Sequence, residues 1–211
     1  MPEPRRKKID PRDCLRAKER WATFEVGVRS AGRAIGGGRG RGVERVGAIA
    51  CATMLHLVRH ADAGSRQAWT GDDFQRPLDT SGRAQARAIA EALKGRPVRR
   101  ILSSPAARCV DTVEPLAEAL RMSVTTTREL AEGASLSDAL SLIDSLAAAE
   151  GDSVLCSHGD VIPGVVWRLA RRGLEIPDSG KCKKASIWEL HARHGAVFAA
   201  VYRHPRTFVA G

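Results

Sequence analysis

From Met54 onward the apolar positions follow two alternating rhythms. Short aliphatic runs predict strands, and repeats of three to four residues predict helices. Met54 to Val58 reads as a buried strand, followed by a long loop over 59–78 that contains Gly64, Gly71 and Pro77. Ser81 to Leu93 reads as a helix, capped by Asp79 or Thr80 and ended before Gly95. Arg99 to Ser103 is a short strand. Pro105 is expected to open the next helix, which runs to about Leu120 and is bent by Pro115. Val124 to Thr127 is a weak strand. Ser137 to Ala149 is an amphipathic helix with Leu140, Ile143, Leu146 and Ala147 on one face. Ser153 to Cys156 is a strand, and Ile162 to Arg171 is a helix with Pro163 in its first turn. Two closing strands, Ala185 to His191 and Val197 to Tyr202, flank the turn His194-Gly195. This alternation predicts an α/β fold, a sandwich around a largely parallel sheet.

Residues 1–53 break the rhythm. They hold the charge run Arg5-Arg6-Lys7-Lys8 and the low-complexity stretch Gly36 to Gly42. Such a segment buries too little apolar surface to offset its ordering entropy. The reading is a basic, disordered extension before a domain over 54–211, or an upstream stretch ahead of a natural start at Met54. The net charge of +10 would suggest a nucleic-acid partner, but its distribution argues otherwise. Residues 1–53 carry 13 Lys/Arg against 6 Asp/Glu, and the remainder 21 against 18. Nucleic acid is therefore not expected as a partner. No apolar run reaches the length of a membrane span, so no membrane is expected either. The five cysteines are odd in number, widely spaced and without a Cys-x-x-Cys pair. That argues against a disulfide framework and a zinc knuckle, and points to a reducing, cytoplasmic setting.

Reactive residues cluster at three predicted strand ends: Arg59-His60, Ser103 to Arg108, and Ser157-His158-Gly159. In open α/β sheets ligands bind at the carboxyl ends of strands. Phosphoryl transfer needs a nucleophile, positive charge on the equatorial oxygens and a proton for the leaving group. His60 can be the nucleophile, with nearby cations favouring its neutral form. Arg59 and Arg108 can present planar forks to phosphate, and a protonated His158 would add a donor. Glu132 is the candidate proton donor, with Glu129 and Asp160 as competitors. No carboxylate cluster suggests a metal, and no cofactor is expected. Taken singly, each residue also fits a structural role. Arg59 and Glu132 suit a solvated surface, the histidines suit hydrogen-bonded loop positions, and Arg108 suits a helix face. Ser103 and Ser104 read as a strand end and a helix cap.

Four segments resemble the motifs of the histidine phosphatase superfamily, the phosphoglycerate mutase-like group, branch 1. They are Leu55-His56-Leu57-Val58-Arg59-His60-Ala61, Leu78 to Ala86, Ser103 to Thr112, and Val154 to Asp160. The resemblance covers residues 54–204 in the family's order, and the size is similar to small SixA-like phosphohistidine phosphatases. It implies a three-layer α/β/α sandwich with a mixed, mostly parallel six-stranded sheet, and a metal-independent phosphatase acting through a phosphohistidine on His60, with Arg59, Arg108 and His158 in the phosphate pocket. Glu132 matches the family's acid. Ala61 stands where the family carries glycine, and the insertions that build a mutase's sugar-phosphate pocket are missing. Trp69-Thr70-Gly71-Asp72-Asp73, Val161-Ile162-Pro163 and Lys183-Lys184-Ala185-Ser186-Ile187-Trp188 are similar to the phosphatase-type domain of some actinobacterial MutT-like Nudix proteins. That similarity implies a nucleotide or another phosphorylated small molecule as substrate, with Lys183 and Lys184 meeting its phosphates. The SixA-like size implies a phosphohistidine protein instead, and a non-catalytic phosphate-binding module is a third reading.

Overall fold

The computed structural model describes residues 53–176 and 180–208. The basic extension expected over 1–53 lies outside the described residues except for Thr53. Six strands and four helices follow in the expected order: β1 (Thr53–Arg59), α1 (Thr80–Leu93), β2 (Val98–Ser103), α2 (Ala107–Leu120), β3 (Val124–Thr126), α3 (Leu136–Ala147), β4 (Asp152–Ser157), α4 (Val161–Arg171), β5 (Ile187–Arg193) and β6 (Ala196–Arg203). The strands form one sheet in the order β3-β2-β4-β1-β5-β6. Pairings are parallel from β3 to β1, and antiparallel on both sides of β5. Only β5 therefore runs against the others, so the sheet is mixed.

Side-chain alternation along the strands splits the core in two. Leu55, Leu57, Leu155, Trp188 and Leu190 meet Leu140 and Ile143 of α3 and Val165 and Leu169 of α4. Val58, Ile101, Val154, Cys156 and Ile187 meet Ile89 and Leu93 of α1 and Val113 and Leu116 of α2. The result is the three-layer sandwich. Burial of this aliphatic surface, at about 25 cal/mol per Å², is the main stabilising term.

Two expectations shift at the start of α2. The helix begins at Ala107, with Ala106 as its N-cap residue, so Pro105 lies just outside it. Ser104 does not cap the helix by position; its hydroxyl instead accepts from the Ala106 N–H at 3.3 Å. The chain is drawn in there because the Ser104 N–H extends the sheet ladder, donating to the Cys156 carbonyl at 2.9 Å. Pro115 sits inside α2 as expected. Among the described residues no helix is long and apolar enough to cross a membrane.

Candidate active site

Strands β2, β4 and β1 are neighbours and parallel, so their carboxyl ends open on one edge. The ladder continues one step past the strands, where the His60 N–H donates to the Ser157 carbonyl at 3.0 Å. On the other side, the Ala185 N–H donates to the carbonyls of Arg59 and His60. His60 is thus held from both flanks at the sheet's edge.

Its ring is 7% exposed. Nδ1 lies 2.8 Å from the Ala61 carbonyl oxygen, which can only accept, so Nδ1 carries the proton. The neutral ring then keeps its free electron pair on Nε2. Burial is the main cause that pushes the His60 pKa down to about 3. The Ala61 contact works the other way, while His158, Arg108 and Arg59 lower it further. Near neutral pH the ring is an unprotonated base.

His158 meets His60 edge-on, with ring centroids 5.4 Å apart. Its Nδ1 is 3.4 Å from an Arg108 guanidinium nitrogen, which can only donate. Nδ1 is therefore the acceptor, and Nε2–H donates to the Ser104 hydroxyl at 2.8 Å. The Cys109 thiol stands 3.4 Å from the same Nε2. Ser104 thus orients the second histidine, a role its sequence position did not suggest.

Arg108 is 3% exposed. Its guanidinium donates to the Asp73 carbonyl at 2.8 Å and to Glu132 at 2.7 Å, while Nε is buried without a partner. Arg59 donates to the Cys182 carbonyl, and its Nε is also buried and unpartnered. A buried guanidinium N–H without an acceptor is costly, and an oxyanion would satisfy it. Gly159 is required beneath Arg59, since a Cβ there would come within 2.7 Å of the guanidinium carbon.

The helix motifs now acquire physical roles. Asp79 caps α1 by accepting from the Gly82 N–H at 2.7 Å. Gln85 accepts from the Asp62 N–H at 3.0 Å, and the Asp79 N–H donates to the Asp62 carbonyl. Gly82 lets this backbone lie against the helix, because a Cβ would stand 1.8 Å from the Asp62 carbonyl oxygen. From α2, the Thr112 hydroxyl accepts from the Ala61 N–H at 3.0 Å and donates to the Arg108 carbonyl at 2.6 Å. Asp111 accepts from the Leu78 N–H. Both helices clamp the chain leaving His60.

A cavity of about 280 Å³ is lined in part by Arg108, His158, Glu132, Asp73, Arg66 and Phe74, while His60 and Arg59 lie outside its lining. Larger hollows of about 490 and 630 Å³ lie elsewhere, but no histidine or cysteine lines either. Of the three candidate acids only Glu132 lines the cavity. It is placed there because Leu130 is buried and its carbonyl accepts from the Ser157 hydroxyl at 2.8 Å. Glu129 turns to the Thr127 hydroxyl, which holds its carboxyl below the usual range. Asp160 accepts from the Gly133 N–H at 2.7 Å. Lys184 is paired with Asp62 at 2.6 Å and Lys183 is exposed; neither lines the cavity.

Sequence reading gave Asp73 no role, yet it organises the cavity's outer side. Its carboxylate meets Arg76 and Arg66 at 2.8 Å each and Arg108 at 3.3 Å. Burial alone would raise its pKa, but those three cations hold it below the ordinary carboxylate value. The signals in the sequence are its place in Trp69-Thr70-Gly71-Asp72-Asp73, to which no role was attached, and the Asp73/Arg76 spacing, which is too common to point to a site. Among the described residues no three His, Cys, Asp or Glu side chains are grouped to hold a metal ion.

The sequence profile of the histidine phosphatase superfamily (branch 1) matches residues 55–135. An 8-oxo-(d)GTP phosphatase of Mycolicibacterium smegmatis is 34% identical over 152 residues, covering 71% of this chain and 47% of that protein. The chain therefore spans about half the length of this curated relative. The SixA structure from Nakamurella multipartitia superposes with a TM-score of 0.59 at 23% identity, covering 74% of this chain and 98% of its own. The protein histidine phosphatase SixA complexed with tungstate gives 0.58 at 22%, covering 73% and 98%. At such identities the two solved structures speak for a shared fold.

Proposed function

The chain belongs to the histidine phosphatase superfamily, branch 1, and from that premise we propose that it is a metal-independent phosphatase with His60 as its nucleophile. The observation that carries this reading is the His60 ring, whose Nδ1 proton is committed to the Ala61 carbonyl. Nε2 is then free to attack phosphorus, giving a phosphohistidine that water hydrolyses. Arg59 and Arg108 bind the equatorial oxygens, supported by their unpartnered buried Nε–H groups. His158 and Ser104 fix the pocket's far side.

Glu132 supplies the leaving-group proton. At rest its carboxylate accepts from both Arg108 and Arg66. A phosphate seated on Arg108 competes for those N–H groups and frees a Glu132 oxygen, which takes up a proton from solvent and gives it to the leaving atom. The substrates are phosphate monoesters or phosphoramidates. A nucleotide is supported by the name of the Mycolicibacterium relative, and a phosphohistidine protein by that of the tungstate-bound SixA. Residues 1–53 act as an extension that turnover does not need. The free thiols of Cys109, Cys156 and Cys182 suit a reducing, cytoplasmic setting.

The test is turnover of a generic aryl phosphate by the full chain in excess chelator, with a denaturing alkaline quench to trap phosphoenzyme. Wild type should turn over and yield acid-labile phosphate on the protein. His60→Ala should do neither, and activity surviving that substitution would sink the mechanism.

A further inference from the structure

We infer that Phe74 is a shelf for a planar group of the substrate, and that the substrate class is a phosphorylated nucleoside. The inference rests on the phosphatase reading and adds to it what the leaving group is. Phe74 is 44% exposed and belongs to neither core cluster. A single exposed aromatic is ordinary on a protein surface. This one lines the same cavity as Arg108, His158 and Glu132.

Phe74 is also fixed relative to the phosphate arginine. It lies in the short helical turn Asp73–Gln75, where the Asp72 carboxylate accepts from the Phe74 N–H at 3.0 Å. The preceding residue, Asp73, receives Arg108 on its carbonyl and on its carboxylate. Arg76, 7% exposed, bonds Asp73 and the Ala63 carbonyl at 2.7 Å. A phosphate on Arg108 and a ring on Phe74 are therefore bound by one rigid unit. Ordering an apolar ring beside a polar pocket gains nothing until something planar and apolar covers it. A nucleobase does so with its π-face, while its phosphate reaches Arg108. The hydroxyl groups of a bare sugar phosphate would find no partner on that ring.

A second aromatic residue stands on the same loop, outside the cavity's lining. Trp69 is 38% exposed, its Nε1–H donates to the Asp72 carbonyl at 2.9 Å, and its ring rests against Gly71. Arg66, paired with Asp73 and Glu132, lines the same cavity and brings a second guanidinium to it.

The experiment measures kcat and KM of the full chain for a purine nucleoside monophosphate and for phosphoramidate, which has no ring. Phe74→Ala and Phe74→Leu should raise KM for the nucleotide about tenfold more than for phosphoramidate, with kcat moved little. Phe74→Trp should restore the nucleotide's KM. Equal shifts for both substrates, or a Leu variant that keeps the nucleotide's KM, overturn the shelf. A larger loss on a phosphohistidine protein than on the nucleotide overturns the substrate class. If wild type turns over neither substrate, the phosphatase reading fails. Calorimetric binding of the nucleotide to wild type and to Phe74→Leu then still reads the shelf, which equal affinities would overturn.

Discussion

The floor and the outer side of the cavity are built in opposite ways. The floor is made of Arg108 and His158, which line the cavity, with His60 beside them; all three are buried and set at the ends of parallel strands or the start of α2. The outer side is made of Arg66, Phe74 and Glu132, carried by loops, with the Glu132 side chain 43% exposed. The floor's geometry follows from sheet hydrogen bonds and two clamping helices. The outer side depends on ion pairs, which solvent screens. A floor of this kind handles what all phosphoryl substrates share, whereas an outer side of this kind distinguishes one leaving group from another.

The largest expected effect breaks the floor. Arg108→Lys keeps the charge but loses the planar fork, and should lower kcat/KM by about 10³-fold for every substrate alike. Steady-state kinetics on several esters checks this, and a loss confined to one substrate would place Arg108 with the outer side. Next comes Glu132→Gln, which should slow esters with poor leaving groups by about 10²-fold and aryl esters with good ones far less. A uniform loss would show that Glu132 serves mainly to hold Arg108.

A smaller effect tests the clamp beneath the floor. Thr112→Val strands the Ala61 N–H and should cost about 1–3 kcal/mol, read as a shift in denaturation midpoint at constant slope. The smallest effect is the pH dependence contributed by His60. Burial holds its pKa near 3, against an ordinary value of 6.5 in the unfolded chain. Between those values the unfolded chain binds more protons, so stability falls as the pH drops through that window. Above pH 6.5 the group contributes no pH dependence. His60→Asn should flatten the change in stability measured between pH 7 and pH 5, and an unchanged slope would assign the titration to other groups.

These two regions were unequally legible. Every strand and α-helix of the sandwich was visible from Met54 onward because aliphatic spacing reports burial directly, whereas the short helical turn Asp73–Gln75 read as loop. Bounds moved by one or two residues, as at β1, which continues to Arg59. The turn His194-Gly195 made β5 and β6 antiparallel to each other, but which of the two runs against the rest was not visible, since that depends on which neighbour a strand pairs with. In the site, the strand-end motifs placed His60, Arg108 and His158 on one edge. Choosing among Glu132, Glu129 and Asp160 was beyond sequence, because three acids near strand ends look alike until a backbone aims them. Lys184 illustrates the converse, since its charge is taken up by Asp62, distant in the chain.

The sequence by itself determined the order of elements, the two apolar faces of the sheet and the residue types at the strand ends. Those are local properties, written in periodicity and in the chemistry each side chain carries anywhere. Tertiary structure alone decided the free nitrogen of His60, the acid that reaches the cavity, the partners of Asp73 and the placement of Phe74. Each of those depends on where a carbonyl, a guanidinium or an open space lies after distant segments have packed. No spacing rule encodes such contacts, because they arise only when the sheet has closed and the loops have settled on its edge.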